Sequence, residues 1–211
     1  MRPLSKYDLF IFDWDHTLTT STLVVTILDM LRRYGRRGGA DRIRSTRSSK
    51  FSAEGIVIRE RTSKLYSLLD DAYALAFNPK LKPGATDTLD FLRSKGKKVA
   101  IFSDSKAYRL LKEIRNLGID SRVDFALAAE SIDSYKPDPT GLLLLIDRFG
   151  ASKKRSVYIG DLPTDIMAAR LAGIDAYAVA DGIGSLRSLR NEKPDRLFPK
   201  LTSLLKALKS S

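Results

Sequence analysis

Carboxylates set at the ends of apolar runs are the residues of this chain best placed to do chemistry. Leu9 to Phe12 is such a run, and Asp13-Trp14-Asp15-His16-Thr17-Leu18-Thr19 follows it directly. A short unbroken apolar run reads as a strand buried on both faces of a sheet. Ionised carboxylates in such surroundings cost on the order of several kcal/mol unless something compensates them. A metal, a phosphate site or both would compensate Asp13 and Asp15. A turn that caps the next helix is the ordinary alternative, and these residues alone leave the two readings even. Later stretches break the tie. Lys98 to Phe102 ends in Ser103-Asp104, and Val157 to Ile159 ends in Gly160-Asp161, with Asp165 about one helical turn further on. Lys136-Pro137-Asp138-Pro139 lies between them. The chain has no Cys and a single His, His16. Thiolate catalysis, disulfides, Cys-bound zinc and His clusters are therefore excluded, and any metal must have oxygen ligands, as magnesium, manganese or calcium do.

The elements that must hold these residues follow from periodicity. Residues 20–34 and 52–77 read as amphipathic helices, joined by a basic stretch broken at Gly38-Gly39. From Gly84 onward the pattern alternates: helix 85–94, strand 98–102, helix 106–117, strand 125–128, then a loop that reaches Lys136. Helix 140–149, strand 157–159, helix 164–171, strand 176–179, an edge strand at 196–198 and a terminal helix 201–208 complete it. Such alternation predicts an α/β fold with a mostly parallel sheet and helices on both faces. Residues 1–18 and 82–211 form the expected core domain, and residues 19–81 a small helical insert after strand one. Ligands of such sheets bind beyond the carboxyl ends of the strands. Asp13 and Asp15, Ser103 and Asp104, and Asp161 all stand at predicted strand ends, so three strands deliver polar groups to one edge.

With these motifs in order, the chain resembles the haloacid dehalogenase-like hydrolase superfamily, in the phosphatase branch related to phosphoglycolate phosphatases. The resemblance rests on D-W-D-H-T-L, F-S-D-S, Y-K-P-D-P and I-G-D-L-P-T-D. It covers nearly the whole chain and is weakest over the insert. It implies a Rossmann-like core with a helical cap, and Mg²⁺-dependent hydrolysis of a small phosphomonoester (phosphoglycolate-like, a sugar phosphate or a nucleotide) through an aspartyl-phosphate. Asp13 would be the nucleophile and Asp15 the general acid and base. The Asp13 carboxylate, the Asp15 backbone carbonyl and the Asp161 carboxylate would hold Mg²⁺, with Asp165 behind them or binding through water. Ser103 and the backbone N–H of Asp104 would hold a phosphoryl oxygen, with Ser103 as a helix N-cap the competing reading. Lys136 would add fixed positive charge, and Thr17 would support the aspartates. His16 is expected in a loop near solvent and Trp14 in the core. The superfamily's dehalogenases lack an Asp at the position that Asp15 resembles, so the resemblance argues against carbon-halogen chemistry. A phosphomutase or phosphonate hydrolase would share the fold and Asp13, and a non-catalytic basic binding protein is the remaining alternative.

Composition bounds the partners. Lys plus Arg number 37 against 25 Asp plus Glu, a formal net charge of +12. Arg32, Arg33, Arg36, Arg37, Arg42, Arg44, Arg47 and Lys50 crowd one segment of the insert. No aromatic residue lies between Tyr34 and Phe51 to stack bases. The charge therefore suits a small phosphorylated metabolite better than nucleic acid. No stretch approaches the roughly 20 apolar residues of a membrane span, and no signal-peptide core precedes the first strand. A cytoplasmic monomer or homodimer is expected. The absence of Gln, few Asn and high charge suit a thermophile, an expectation that a melting midpoint in the mesophile range would overturn.

Overall fold

The structure, a computed structural model, describes residues 4–20 and 79–210. The two expected insert helices and the Arg32 to Lys50 cluster lie outside the described residues. The core is a parallel sheet of β1 (Leu9–Phe12), β4 (Lys98–Ser103), β5 (Phe125–Ala128), β6 (Ser156–Gly160), β7 (Asp175–Val179) and β8 (Arg196–Phe198). Their order is β5-β4-β1-β6-β7-β8. The chain winds outward from β1 through β4 to β5, then returns to place β6 on the other side of β1. The order reverses beside β1, and that switch point is where open α/β sheets carry their ligand sites.

Alternation along β1 sets the two layers. Phe10 and Phe12 face a core built with α1 (Ala85–Ser94), α2 (Ala107–Asn116) and α7 (Leu201–Lys209). Leu9 and Ile11 face a second core built with α4 (Thr140–Arg148), α5 (Pro163–Ala172) and Leu189. Each such side chain taken from water stabilises the fold by about 1.5–3 kcal/mol. Gly173 ends α5 with a φ of 75°, the left-handed conformation that glycine adopts without steric cost.

Departures from the expected elements are small and local. The loop after β5 contains a one-turn helix, α3 (Ala129–Ile132), and α6 (Leu186–Asn191) follows β7. Neither has enough apolar positions to show a period, since α6 buries only Leu189. Ser103 is not a helix N-cap: β4 continues through it, α2 starts at Ala107, and Lys106 stands at the cap position. At the two edges of the described residues, β2 (Thr19–Thr20) and β3 (Lys80–Leu81) pair antiparallel, Thr19 with Leu81 and Thr20 with Lys80.

Candidate active site

Three adjacent strands, β4, β1 and β6, end at the same edge and carry Ser103, Asp13 and Asp161 there. The backbone N–H of Asp13 still donates to Ile159 at 2.8 Å, so the sheet pairing fixes this aspartate one residue beyond β1. Carboxylate oxygens of Asp13, Asp161 and Asp165 all lie within 4.8 Å of one another, and all three residues are buried. Lys136 enters from the loop before α4. Its Nζ donates to Asp13 Oδ1 and to Asp165 Oδ1, each at 2.6 Å. Thr17 Oγ1 lies 3.1 Å from Asp13 Oδ2 and 3.0 Å from Asp161 Oδ1. It bridges two carboxylates with one proton.

Among the described residues one ammonium, that of Lys136, supplies the positive charge bonded to these three buried carboxylates. Burial pushes Asp13 well above the ordinary carboxylate range, against the pull of Lys136. Burial, then the charge of Asp165, raises Asp161 to about 6. Burial would lower Lys136, but Asp13 and Asp165 outweigh it and keep the ammonium protonated. Two carboxylates facing one shared hydroxyl proton form a site that a divalent, oxygen-seeking cation would complete. The residues present therefore fit magnesium.

Asp165 has structural duties as well. Its Oδ2 accepts the N–H of Asp161 at 3.0 Å and of Leu162 at 2.8 Å, which ties the end of β6 to the first turn of α5. A Cβ at Gly160 would sit 2.3 Å from its carboxyl carbon, so this approach requires glycine. A loop outside the sequence motifs backs Asp161. Ile183 N–H donates to Asp161 Oδ2 at 2.8 Å, and a Cβ at Gly182 would meet that oxygen at 2.1 Å. The signal was legible as Asp-Gly-Ile-Gly-Ser after a strand. Asp181 of this loop pairs with Lys82 Nζ at 2.9 Å, and Lys82 is the buried residue just past β3.

Asp15 stands apart from the three clustered carboxylates. Ser105 Oγ donates to its Oδ2 at 2.8 Å, and Arg109 Nη2 donates to its Oδ1. Ser105 also donates its N–H to Ser103 Oγ at 3.0 Å, and the two hydroxyls are 2.5 Å apart. Asp104 Oδ1 accepts the N–H of Lys136 at 3.1 Å, so the β4 end and the Lys136 loop are joined. Trp14 is fully buried as expected, and its Nε1 donates to Glu113 Oε2 at 2.6 Å. His16 occupies a half-buried turn with a φ of 61°, where burial lowers its pKa. Arg109, Glu113 and Ser105 were missed. Arg109 and Glu113 sit four apart on α2 and could have been read as a helix ion pair.

Known proteins resemble this chain in sequence and in fold. Phosphoglycolate phosphatase 1 of Pseudomonas aeruginosa is 24% identical over 93% of this chain and 78% of its own length. Phosphoglycolate phosphatase of Pseudomonas syringae pv. syringae is 26% identical with the same two coverages, 93% and 78%. The fold matches a HAD family hydrolase from Deinococcus radiodurans, solved with bound phosphate and sodium, at a TM-score of 0.69 and 18% identity over 98% of this chain and 96% of that one. The sequence profile described as haloacid dehalogenase-like hydrolase matches residues 10–179. The chain therefore belongs to the haloacid dehalogenase-like hydrolase family.

Proposed function

We propose that this chain, a phosphoric monoester hydrolase of that family, cleaves a small phosphomonoester, phosphoglycolate-like, a sugar phosphate or a nucleotide, using Asp13 as nucleophile. One observation carries the reading: Asp13 and Asp161, at the ends of adjacent strands, cluster with Asp165 in the first turn of α5, and Lys136 bridges Asp13 and Asp165. The Asp13 and Asp161 carboxylates, the Asp15 backbone carbonyl and, directly or through water, Asp165 would hold Mg²⁺. When bound, the ion supplies positive charge that lets a carboxylate and a phosphate dianion approach each other.

The protein's own groups do the rest. Lys136 orients Asp13 and presents fixed charge beside it. Ser103, with the Asp104 N–H, takes a phosphoryl oxygen. Asp13 attacks phosphorus, the ester P–O bond breaks, and the leaving oxygen takes a proton from Asp15. Asp15 then accepts a proton from the water that attacks the aspartyl-phosphate, which releases phosphate and restores Asp13. The names of the relatives and the net positive charge support a small anionic substrate. Phosphate release from a panel of phosphomonoesters, with Mg²⁺ or EDTA, tests the reading in wild type and Asp13→Asn. Mg²⁺-dependent turnover that vanishes in the variant is expected. Turnover surviving in Asp13→Asn would overturn it, and transfer of the phosphoryl group to a second hydroxyl would mark a mutase.

A further inference from the structure

The side chain of Asp15 is held more completely than loop anchoring requires. Both its oxygens are engaged, Oδ2 by Ser105 Oγ at 2.8 Å and Oδ1 by Arg109 Nη2. The Arg109 guanidinium is itself only 8% exposed and is aimed by Glu113, whose Oε1 accepts its Nε at 3.0 Å. The other oxygen of Glu113 accepts Trp14 Nε1 at 2.6 Å. A buried glutamate thus grips both the arginine that holds Asp15 and the residue next to Asp15 in the chain. Burial raises the pKa of Glu113, against the charge of Arg109. A planar guanidinium fixed at Nε has little freedom left at Nη2, so it sets direction as well as charge.

We propose that Arg109, aimed by Glu113, is a positioning residue that fixes the Asp15 carboxyl for proton exchange with the leaving oxygen. The assignment rests on the phosphatase reading above. The step it serves is balanced: the ester P–O bond breaks, its electron pair stays on the leaving oxygen, and the Asp15 proton neutralises that oxygen. Asp15 regains the proton from the attacking water. A group placed for this purpose matters most when the leaving group is basic, and little when it departs readily as an anion.

The test compares kcat/KM for phenyl phosphate and p-nitrophenyl phosphate, esters of similar shape whose leaving groups differ in basicity. Wild type, Arg109→Met, Arg109→Lys and Asp15→Asn are measured with Mg²⁺. The ratio of the two values is taken from one preparation, so any misfolded fraction cancels. General acid–base help is worth about 10²–10⁴-fold, so a carboxyl loosened but retained should shift the ratio against phenyl phosphate by about tenfold in Arg109→Met. Arg109→Lys should recover part of the shift, and Asp15→Asn should exceed it. Equal loss on both esters in the Arg109 variants, including loss of both below detection, would overturn the assignment while leaving the phosphatase reading intact. Absence of turnover of either ester by wild type would overturn that reading and this assignment together.

Discussion

Lys136 Nζ and Asp13 Oδ1 are 2.6 Å apart with both side chains buried, so the proposed nucleophile meets its cation without water between them. The same ammonium holds Asp165 on its other side at 2.6 Å. Removing it leaves a buried carboxylate cluster with no counter-charge, and breaking a buried pair costs about 3–5 kcal/mol. Lys136→Met should lose stability of that order in EDTA, read by urea unfolding, and recover part of it with Mg²⁺. Its kcat should fall by at least about 10²-fold. A variant as stable as wild type in EDTA would show that the cluster carries no net charge to be compensated.

The pH dependence of stability follows from Asp161. Burial, then Asp165, raises its folded pKa to about 6, against about 3.9 in an unfolded chain. Between those values the folded state holds more proton than the unfolded one. Stability is therefore fully present on the acid side and declines as pH rises from about 4 to about 6, by about 2–3 kcal/mol. Burial raises Asp13 as well, so its titration acts in the same direction. Urea unfolding in EDTA from pH 4 to 7.5, for wild type and Asp161→Asn, checks this. The variant should show a shallower decline, and Mg²⁺ should stabilise wild type more at the upper end.

Gly182 tests how Asp161 is aimed. A Cβ there would stand 2.1 Å from Asp161 Oδ2, so the loop or the carboxylate must move. Gly182→Ala should raise the Mg²⁺ concentration for half-maximal activity by about 10–100-fold, the usual cost of disturbing a ligand's support. Mg²⁺ titration of phosphate release measures it. An unchanged midpoint would remove this loop from the metal site.

Lys82 and Asp181 join the returning strand β3 to the loop behind Asp161. Lys82→Met should cost about 1–3 kcal/mol, because it leaves the partly buried Asp181 without its partner. Combination with Asp181→Asn should recover part of that loss in a double-mutant cycle. Additive losses would show that the pair is not coupled.

Where each residue stands was legible in the sequence to the degree that it was repeated or regular. The alternation of helices and strands, and the carboxylates at their ends, placed Asp13, Ser103 and Asp161 on one edge, as the sheet has them. The division of labour among the aspartates was not legible. Whether Asp15 joins Asp161 or Arg109 depends on the turn at His16 and on the packing of α2, which no local pattern encodes. Arg109 and Glu113 were hidden because their helix shows a good apolar stripe at Leu110 and Ile114, and polar residues beside such a stripe pass as solvated. The loop at Gly182 lies far in sequence from its contact and was passed over for that reason. Short elements such as α3 and α6 lack the length to show a period.

The pairing of β2 with β3 has a consequence for design. Thr19 lies opposite Leu81 and Thr20 opposite Lys80, so the chain returns to the core beside the point where it left. Among the described residues, the core strands lie on either side of the ribbon in sequence: β1 precedes it and β4 follows it. A change of length between Thr20 and Lys80 that keeps this pairing therefore leaves in place the β1–β6 register that sets Asp13 beside Asp161. Such a junction gives the engineer a graft point two residue pairs wide, just past the strand that leads to Asp13.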